Sequence, residues 1–200
     1  MAGDRVREAE ASRRTAETDV RVRVVVDGRG LADVQTGVGF FDHMLAAFAR
    51  VALCDLQVRA SGDLAVEPHH TVEDVGIVLG RALGAAVGDR KGTRRYGSAF
   101  VPMDDALARA VLDLSGRPYL AWGPDLAVRD LGGFATDLAE EFWRALATNA
   151  GWTLHVDLVR YRNAHHALEA IWKAAGLAFR EAAARDGRFE GVLSTKEVLD

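Results

Sequence analysis

Two hundred residues, 49% hydrophobic and 27% charged, make one core of ordinary globular composition. The net charge of −4 argues against nucleic acid as a partner, because phosphate backbones need a dense basic face, but it leaves room for a local basic pocket. One cysteine, Cys54, excludes a disulfide framework and a cysteine-based zinc cluster; its setting, Val51-Ala52-Leu53-Cys54, reads as a packed thiol.

In chain order, Thr18 to Val26 alternates at period 2 and ends at Asp27-Gly28, a strand running into a turn. Phe40 to Ala49 has the pattern of an amphipathic helix, Asp55 to Ala60 that of a strand, and Ser61-Gly62-Asp63 that of a turn. From His69 to Val87 the periodicity is helical, with Val72, Val75, Ile77, Val78, Leu79 and Leu83 available to a core. Ala99–Val101 and Leu107–Leu114 are expected strands, Leu138–Ala150 a helix, Trp152–Val159 a strand and Ala164–Ala184 a long amphipathic helix. The order helix, strand, turn, helix thus occurs twice. With no Pro/Ser-rich linker, one domain of two fused repeats, approximately 1–92 and 93–200, is expected, an α+β sandwich with helices on one face of each sheet.

No apolar stretch approaches the roughly 20 residues that cross a bilayer. The charged N-terminus MAGDRVREAEASRR lacks a signal-peptide apolar region. A cytoplasmic protein with no membrane partner is expected, and the Met1 start and Asp200 end point to a stand-alone chain.

Both repeats carry H-H-x-x-E at the start of their last helix: His69-His70-Thr71-Val72-Glu73 and His165-His166-Ala167-Leu168-Glu169. Residues three and four apart share a helix face, whereas neighbours diverge by about 100°. A histidine and the glutamate can therefore meet one ion, but the two adjacent histidines serve different ions. His43 and His155 lie upstream of the motifs, in what read as matching elements, and complete two sites of three histidines and one glutamate each. Imidazole and carboxylate without thiolate suit Mn, Fe, Ni or Zn, with open positions favouring an octahedral ion.

Three stretches look like anion binders. Asp89-Arg90-Lys91-Gly92-Thr93-Arg94-Arg95-Tyr96-Gly97 places four cations in a Gly-bounded loop, Ser115-Gly116-Arg117-Pro118 an arginine in a tight turn, and Ser194-Thr195-Lys196 two hydroxyls with an ammonium. Beside a dimetal site they point to a small phosphorylated substrate.

These residues, with Arg13-Arg14-Thr15-Ala16-Glu17-Thr18, Phe41-Asp42-His43-Met44-Leu45, Asp113-Leu114-Ser115-Gly116-Arg117-Pro118 and Thr153-Leu154-His155-Val156, resemble in order and over nearly the whole chain the imidazoleglycerol-phosphate dehydratases of histidine biosynthesis. The resemblance implies internally duplicated βα half-domains of the ribosomal protein S5 domain 2-like type, sheets packed with helices. It implies a hydro-lyase, a carbon–oxygen lyase turning imidazole glycerol phosphate into imidazole acetol phosphate, with two Mn2+ per active site that stabilise an imidazolate. One ion falls to His69, His155, His165 and Glu169, the other to His43, His70, Glu73 and His166. Catalytic work falls to Glu17, His70, Glu73 and Glu169, with Glu17 the candidate for proton transfer. Substrate contacts fall to Glu17, His43, His69, Arg95, Arg117, His165, Lys173, Ser194, Thr195 and Lys196. The resemblance also implies a homo-oligomer of 24 subunits sharing their sites. Where the family has a glutamine and then a histidine on the turns after His43, this chain has Ala47 and Val51. Two rivals remain: a related metalloenzyme with a shifted substrate, and a non-enzymatic assembly protein cross-linked by metal.

Overall fold

The computed structural model describes residues 6–196 and 198. The chain runs β1 (Glu8–Arg14), β2 (Thr18–Val25), β3 (Ala32–Gln35), α1 (Gly39–Ala52), β4 (Asp55–Gly62) and α2 (His69–Val87). It then repeats that order as β5 (Tyr96–Met103), β6 (Ala106–Asp113), β7 (Tyr119–Trp122), α3 (Leu138–Ala150), β8 (Thr153–Arg160) and α4 (Ala164–Ala183). Each half forms a four-stranded sheet, in the orders β1-β2-β4-β3 and β5-β6-β8-β7. In both, two antiparallel pairings are followed by a parallel one, because α1 and α3 carry the chain across from β3 to β4 and from β7 to β8. The α+β fold with duplicated halves is thus present at the level of strand order.

Alternation explains how the sheets face. Thr18, Val20, Val22 and Val24 of β2 are buried, with Leu56 and Val58 of β4 beside them; Ala108, Ala110 and Leu112 do the same in β6. The helices cover those inward faces. α2 lies on β1 and β2 and against α3, while α4 lies on β5 and β6 and against α1. Each repeat therefore buries its helices against helices of the other, and the core is a helical layer between two sheets.

An aromatic cluster fills that layer across the repeat boundary. Phe41 meets Phe142 edge-on with centroids 5.2 Å apart, Phe48 meets Trp143 at 6.0 Å, and Phe48 stacks on Phe179 at 6.1 Å. Gly76 and Gly80 admit α3 to α2: a Cβ on them would lie 2.7 Å from the Phe142 carbonyl oxygen and 2.5 Å from that of Leu146.

Several expectations shift in detail. The strand expected over 99–101 is eight residues long and begins at Tyr96, so the end of the expected basic loop is strand. Ile77, expected in the core, is half-buried. β1, β3 and β7 were not anticipated: EAEASRR turns only two alanines and Arg13 inward, and the other two have four residues each. Short or charged strands at sheet edges resist pairing with other chains, which is a reason for such sequences there.

Candidate active site

Four elements bring the chemistry together. α1 projects His43, and α4 projects His165, Glu169 and Lys173 at successive turns of one stripe. Glu169 is 7% exposed. Its Oε2 lies 3.2 Å from His165 Nε2 and 3.5 Å from His43 Nε2, and its Oε1 accepts from Lys173 Nζ at 2.6 Å. Burial pushes the Glu169 carboxyl up, but Lys173 and the two histidines outweigh it and hold the group below its usual range. The donor atoms of His43, His165 and Glu169 all lie within 4.8 Å of one another, a set of imidazole and carboxylate that fits a borderline-to-hard metal ion.

The adjacent histidines diverge as helix geometry requires. The rings of His165 and His166 are 6.0 Å apart at 85°, and those of His69 and His70 are 6.0 Å apart at 88°. While His165 turns to Glu169, His166 Nδ1 lies 2.6 Å from Asp105 Oδ1, and its Nε2 is 3.7 Å from Asp104. In the first repeat His70 Nδ1 lies 3.0 Å from Asp63 Oδ2 and 3.7 Å from Glu17. The Asp63 hydrogen bond holds the His70 imidazole above its usual range, with the charges of Glu17 and Glu67 adding to it against a smaller desolvation. Glu17, Asp63 and His70 form a second group with donor atoms within 4.8 Å.

Glu17 stands on the β1–β2 turn, which is tied down from below. Thr15 Oγ1 accepts from the backbone N–H of Glu17 at 3.1 Å and of Thr18 at 2.9 Å. The Thr18 hydroxyl donates to buried Asp74 on α2, which also accepts from Arg13 Nε at 2.9 Å.

Among the described residues, a single chain thus unites His43, His165 and Glu169, and separately His70 with Glu17 and Asp63. His69, Glu73, His155 and His166 belong to neither group. His43 and His155 do not occupy matching elements, contrary to the sequence reading. His43 sits on α1, whereas His155 sits on β8, the counterpart of β4, and points outward beside Tyr119 with rings 6.1 Å apart. The mismatch is physical: one side chain follows a helical stripe and the other a strand alternation. Ala47 and Val51 follow His43 on the same stripe of α1, and Val51 packs against Gly176 of α4.

Arg95, Arg117, Ser194, Thr195 and Lys196 line one cavity of about 1050 Å³. Arg95 also has work inside the fold. It donates to both oxygens of Asp113, at 2.7 and 3.0 Å, and to the Leu193 carbonyl at 2.6 Å. Sequence reasoning missed Asp63, Asp105 and Asp113 as partners of these groups. Their only signal was an aspartate in a turn or at a strand end.

Comparison with known proteins points to one family. The family model described as imidazoleglycerol-phosphate dehydratase matches residues 36–179. The imidazoleglycerol-phosphate dehydratase of Acetivibrio thermocellus is 54% identical over 193 residues, covering 96% of this chain and 99% of that protein. That of Cereibacter sphaeroides is 53% identical over 195 residues, covering 97% and 100%. Among solved structures, imidazoleglycerol-phosphate dehydratase from Staphylococcus aureus superposes with a TM-score of 0.80 at 39% identity, covering 89% of this chain and 100% of that one. The Pyrococcus furiosus enzyme in complex with (S)-C348 gives 0.80 at 37%, covering 94% and 99%. The chain belongs to the imidazoleglycerol-phosphate dehydratase family.

Proposed function

We propose that this chain dehydrates imidazole glycerol phosphate to imidazole acetol phosphate in histidine biosynthesis, in the cytoplasm, and that it does so at a two-manganese site. It is a hydro-lyase by family. The observation that carries the reading is the buried Glu169 carboxylate facing His43 and His165, in a chain that also lines a cavity with Arg95, Arg117 and Lys196.

His69, His155, His165 and Glu169 would hold one ion, and His43, His70, Glu73 and His166 the other; His43, which lies 3.5 Å from Glu169 within the chain, would thus serve the ion that Glu169 does not. Neither set of four closes within one chain, which supports a homo-oligomer, of 24 subunits, whose neighbours complete each other's sites. The exposure of His155 on the outward face of the second sheet supports a role in a neighbour's site. Manganese held by these residues would supply Lewis acidity toward negative charge on the substrate's imidazole ring.

The remaining work belongs to the chain's own groups. Arg117, Ser194, Thr195 and Lys196 bind the phosphate by charge and hydrogen bonds, with Arg95 holding the wall of the cavity. Glu17, exposed on a turn fixed by Thr15, moves the proton. Lys173 keeps Glu169 ionised and contacts substrate. The two fused repeats, meeting near residues 92 and 93, form one catalytic domain.

A shifted substrate is the second reading, favoured by the apolar Ala47 and Val51 on the His43 stripe. Metal analysis and a dehydratase assay on one purified, manganese-loaded sample decide between them. Imidazole acetol phosphate formation is expected; no turnover with a full metal complement would overturn the first reading.

A further inference from the structure

The second histidine of each pair is held at the same ring atom by an aspartate outside the H-H-x-x-E motif. His70 Nδ1 lies 3.0 Å from Asp63 Oδ2, and His166 Nδ1 lies 2.6 Å from Asp105 Oδ1. We propose that Asp63 and Asp105 are positioning residues, each holding the Nδ1–H of its histidine so that Nε2 is the nitrogen presented to a metal ion. The proposal rests on the assignment of His70 and His166 as ligands made above.

The chemistry of imidazole carries the argument. A neutral ring has one N–H and one lone pair, and the acceptor placed at one nitrogen decides which nitrogen keeps the lone pair. A carboxylate at Nδ1 fixes the proton there, orients the ring and makes Nε2 more basic, the arrangement found around metal-bound histidines in general. The two ring nitrogens point to different sides of the ring. A carboxylate bonded at Nδ1 is thus turned away from an ion at Nε2, so both aspartates stand outside the coordination shell.

The two anchors differ in how they are themselves fixed. Asp105 sits on the β5–β6 turn, and its Oδ2 accepts the backbone N–H groups of Arg162 and Asn163, at 2.6 and 2.9 Å, just before α4. One carboxylate therefore locks both the entry to the helix and the ring of its third residue. The equivalent β1–β2 turn of the first repeat carries Glu17, but there Asp63, on the loop after β4, takes Nδ1 at 3.0 Å and leaves Glu17 at 3.7 Å. That division of labour leaves Glu17, whose side chain is 56% exposed, free for substrate. Among the described residues the second oxygen of Asp63, Oδ1, is buried without a partner, so its hold on the ring is its one visible task.

The test uses the full chain with Asp63→Ala, Asp105→Ala, Asp105→Asn and, as a control carboxylate remote from the motifs, Asp186→Ala. In metal-free protein, nitrogen-15 spectra of the histidine rings report the tautomer. His70 and His166 are expected as Nδ1–H forms, each losing that preference in the alanine variant of its own anchor and not of the other. Asp105→Asn keeps an acceptor oxygen and is expected to retain the tautomer. Manganese affinity, read from free Mn2+ by electron paramagnetic resonance, should fall about 10–100-fold for each alanine variant, the usual cost of losing such a partner. It should stay unchanged in Asp186→Ala. Amide signals of Arg162 and Asn163 report the helix entry separately. Unchanged tautomers, or manganese affinities within twofold of the parent, overturn the proposal. His166→Ala separates the two layers: if it leaves manganese affinity intact, the ligand assignment itself fails and the proposal falls with it. If His166→Ala weakens binding and Asp105→Ala does not, the anchor alone is refuted.

Discussion

Arg95→Ala should cost more stability than a residue lining a ligand cavity ordinarily would. The Arg95 side chain is 9% exposed and that of Asp113 19%. Removing the guanidinium deletes both bonds to Asp113 and the bond to the Leu193 carbonyl, leaving a largely buried carboxylate without a counter-charge. Breaking a buried pair from one side costs about 3–5 kcal/mol, and the partial exposure of Asp113 places this case near about 3 kcal/mol. For a chain of this length that is a fall in Tm of about 6–12 °C. Thermal unfolding followed by circular dichroism measures it, with Asp113→Ala and the double variant closing a cycle. The double variant should be less destabilised than the sum of the singles by about 0.5–3 kcal/mol. A fall below about 2 °C, or strict additivity, would refute the view that Asp113 is the main partner of Arg95. The result also governs how activity data are read. Losing the Leu193 anchor loosens the segment carrying Ser194, Thr195 and Lys196, so a raised KM in Arg95→Ala reports the cavity wall as well as any phosphate contact.

Gly97→Ala places a Cβ 1.9 Å from the Ala178 carbonyl oxygen of α4, backbone that cannot turn aside, and should cost about 1–3 kcal/mol or more in denaturant unfolding; a neutral effect would mean that β5 and α4 sit further apart. Burial pushes the Cys54 thiol from 9.0 up to about 12, so the folded protein should not react with Ellman's reagent at pH 8 until denaturant is added. Because the folded state holds that proton more tightly, Cys54 takes away stability as pH rises above about 9, a loss that Cys54→Ala should abolish in Tm against pH. Glu17→Gln should lower kcat by about 10²–10⁴-fold, the worth of a general acid–base, with Tm nearly unchanged since the side chain is half-exposed; retained kcat would remove Glu17 from the proton path. Chelation with EDTA should break a large particle into smaller units by light scattering, and an unchanged mass would count against sites shared between subunits.

The long elements were legible because each announced one period. β2 alternates valines, and α2 and α4 carry apolar stripes that follow the paired histidines at their starts. The divergence of His165 from His166 was equally legible, since it follows from helix geometry alone. What stayed hidden depends on contacts that no local period reports. Asp63 and Asp105 are unremarkable turn residues until folding sets them against His70 and His166. Arg95 read as a cation awaiting an anion, and only the β5–β6 register, which sets Tyr96 opposite Asp113, shows that the chain supplies that anion itself. β3 and β7, at four residues each, are too short to display a period.

The exchange of helices between repeats has a consequence for symmetry. Two junctions, α1 with α4 and α2 with α3, are related by the duplication, and two equal halves would have made them chemically alike. They are not alike. Both pack closely through glycine, Gly76 and Gly80 against α3 and Gly176 of α4 against the Phe48 carbonyl oxygen of α1, but only the first sets His43 against His165 and Glu169, since α3, LAEEFWRALATNA, brings no histidine. The two halves thus share one way of packing helices, while the cluster of imidazole and carboxylate at the seam belongs to α1 and α4 alone.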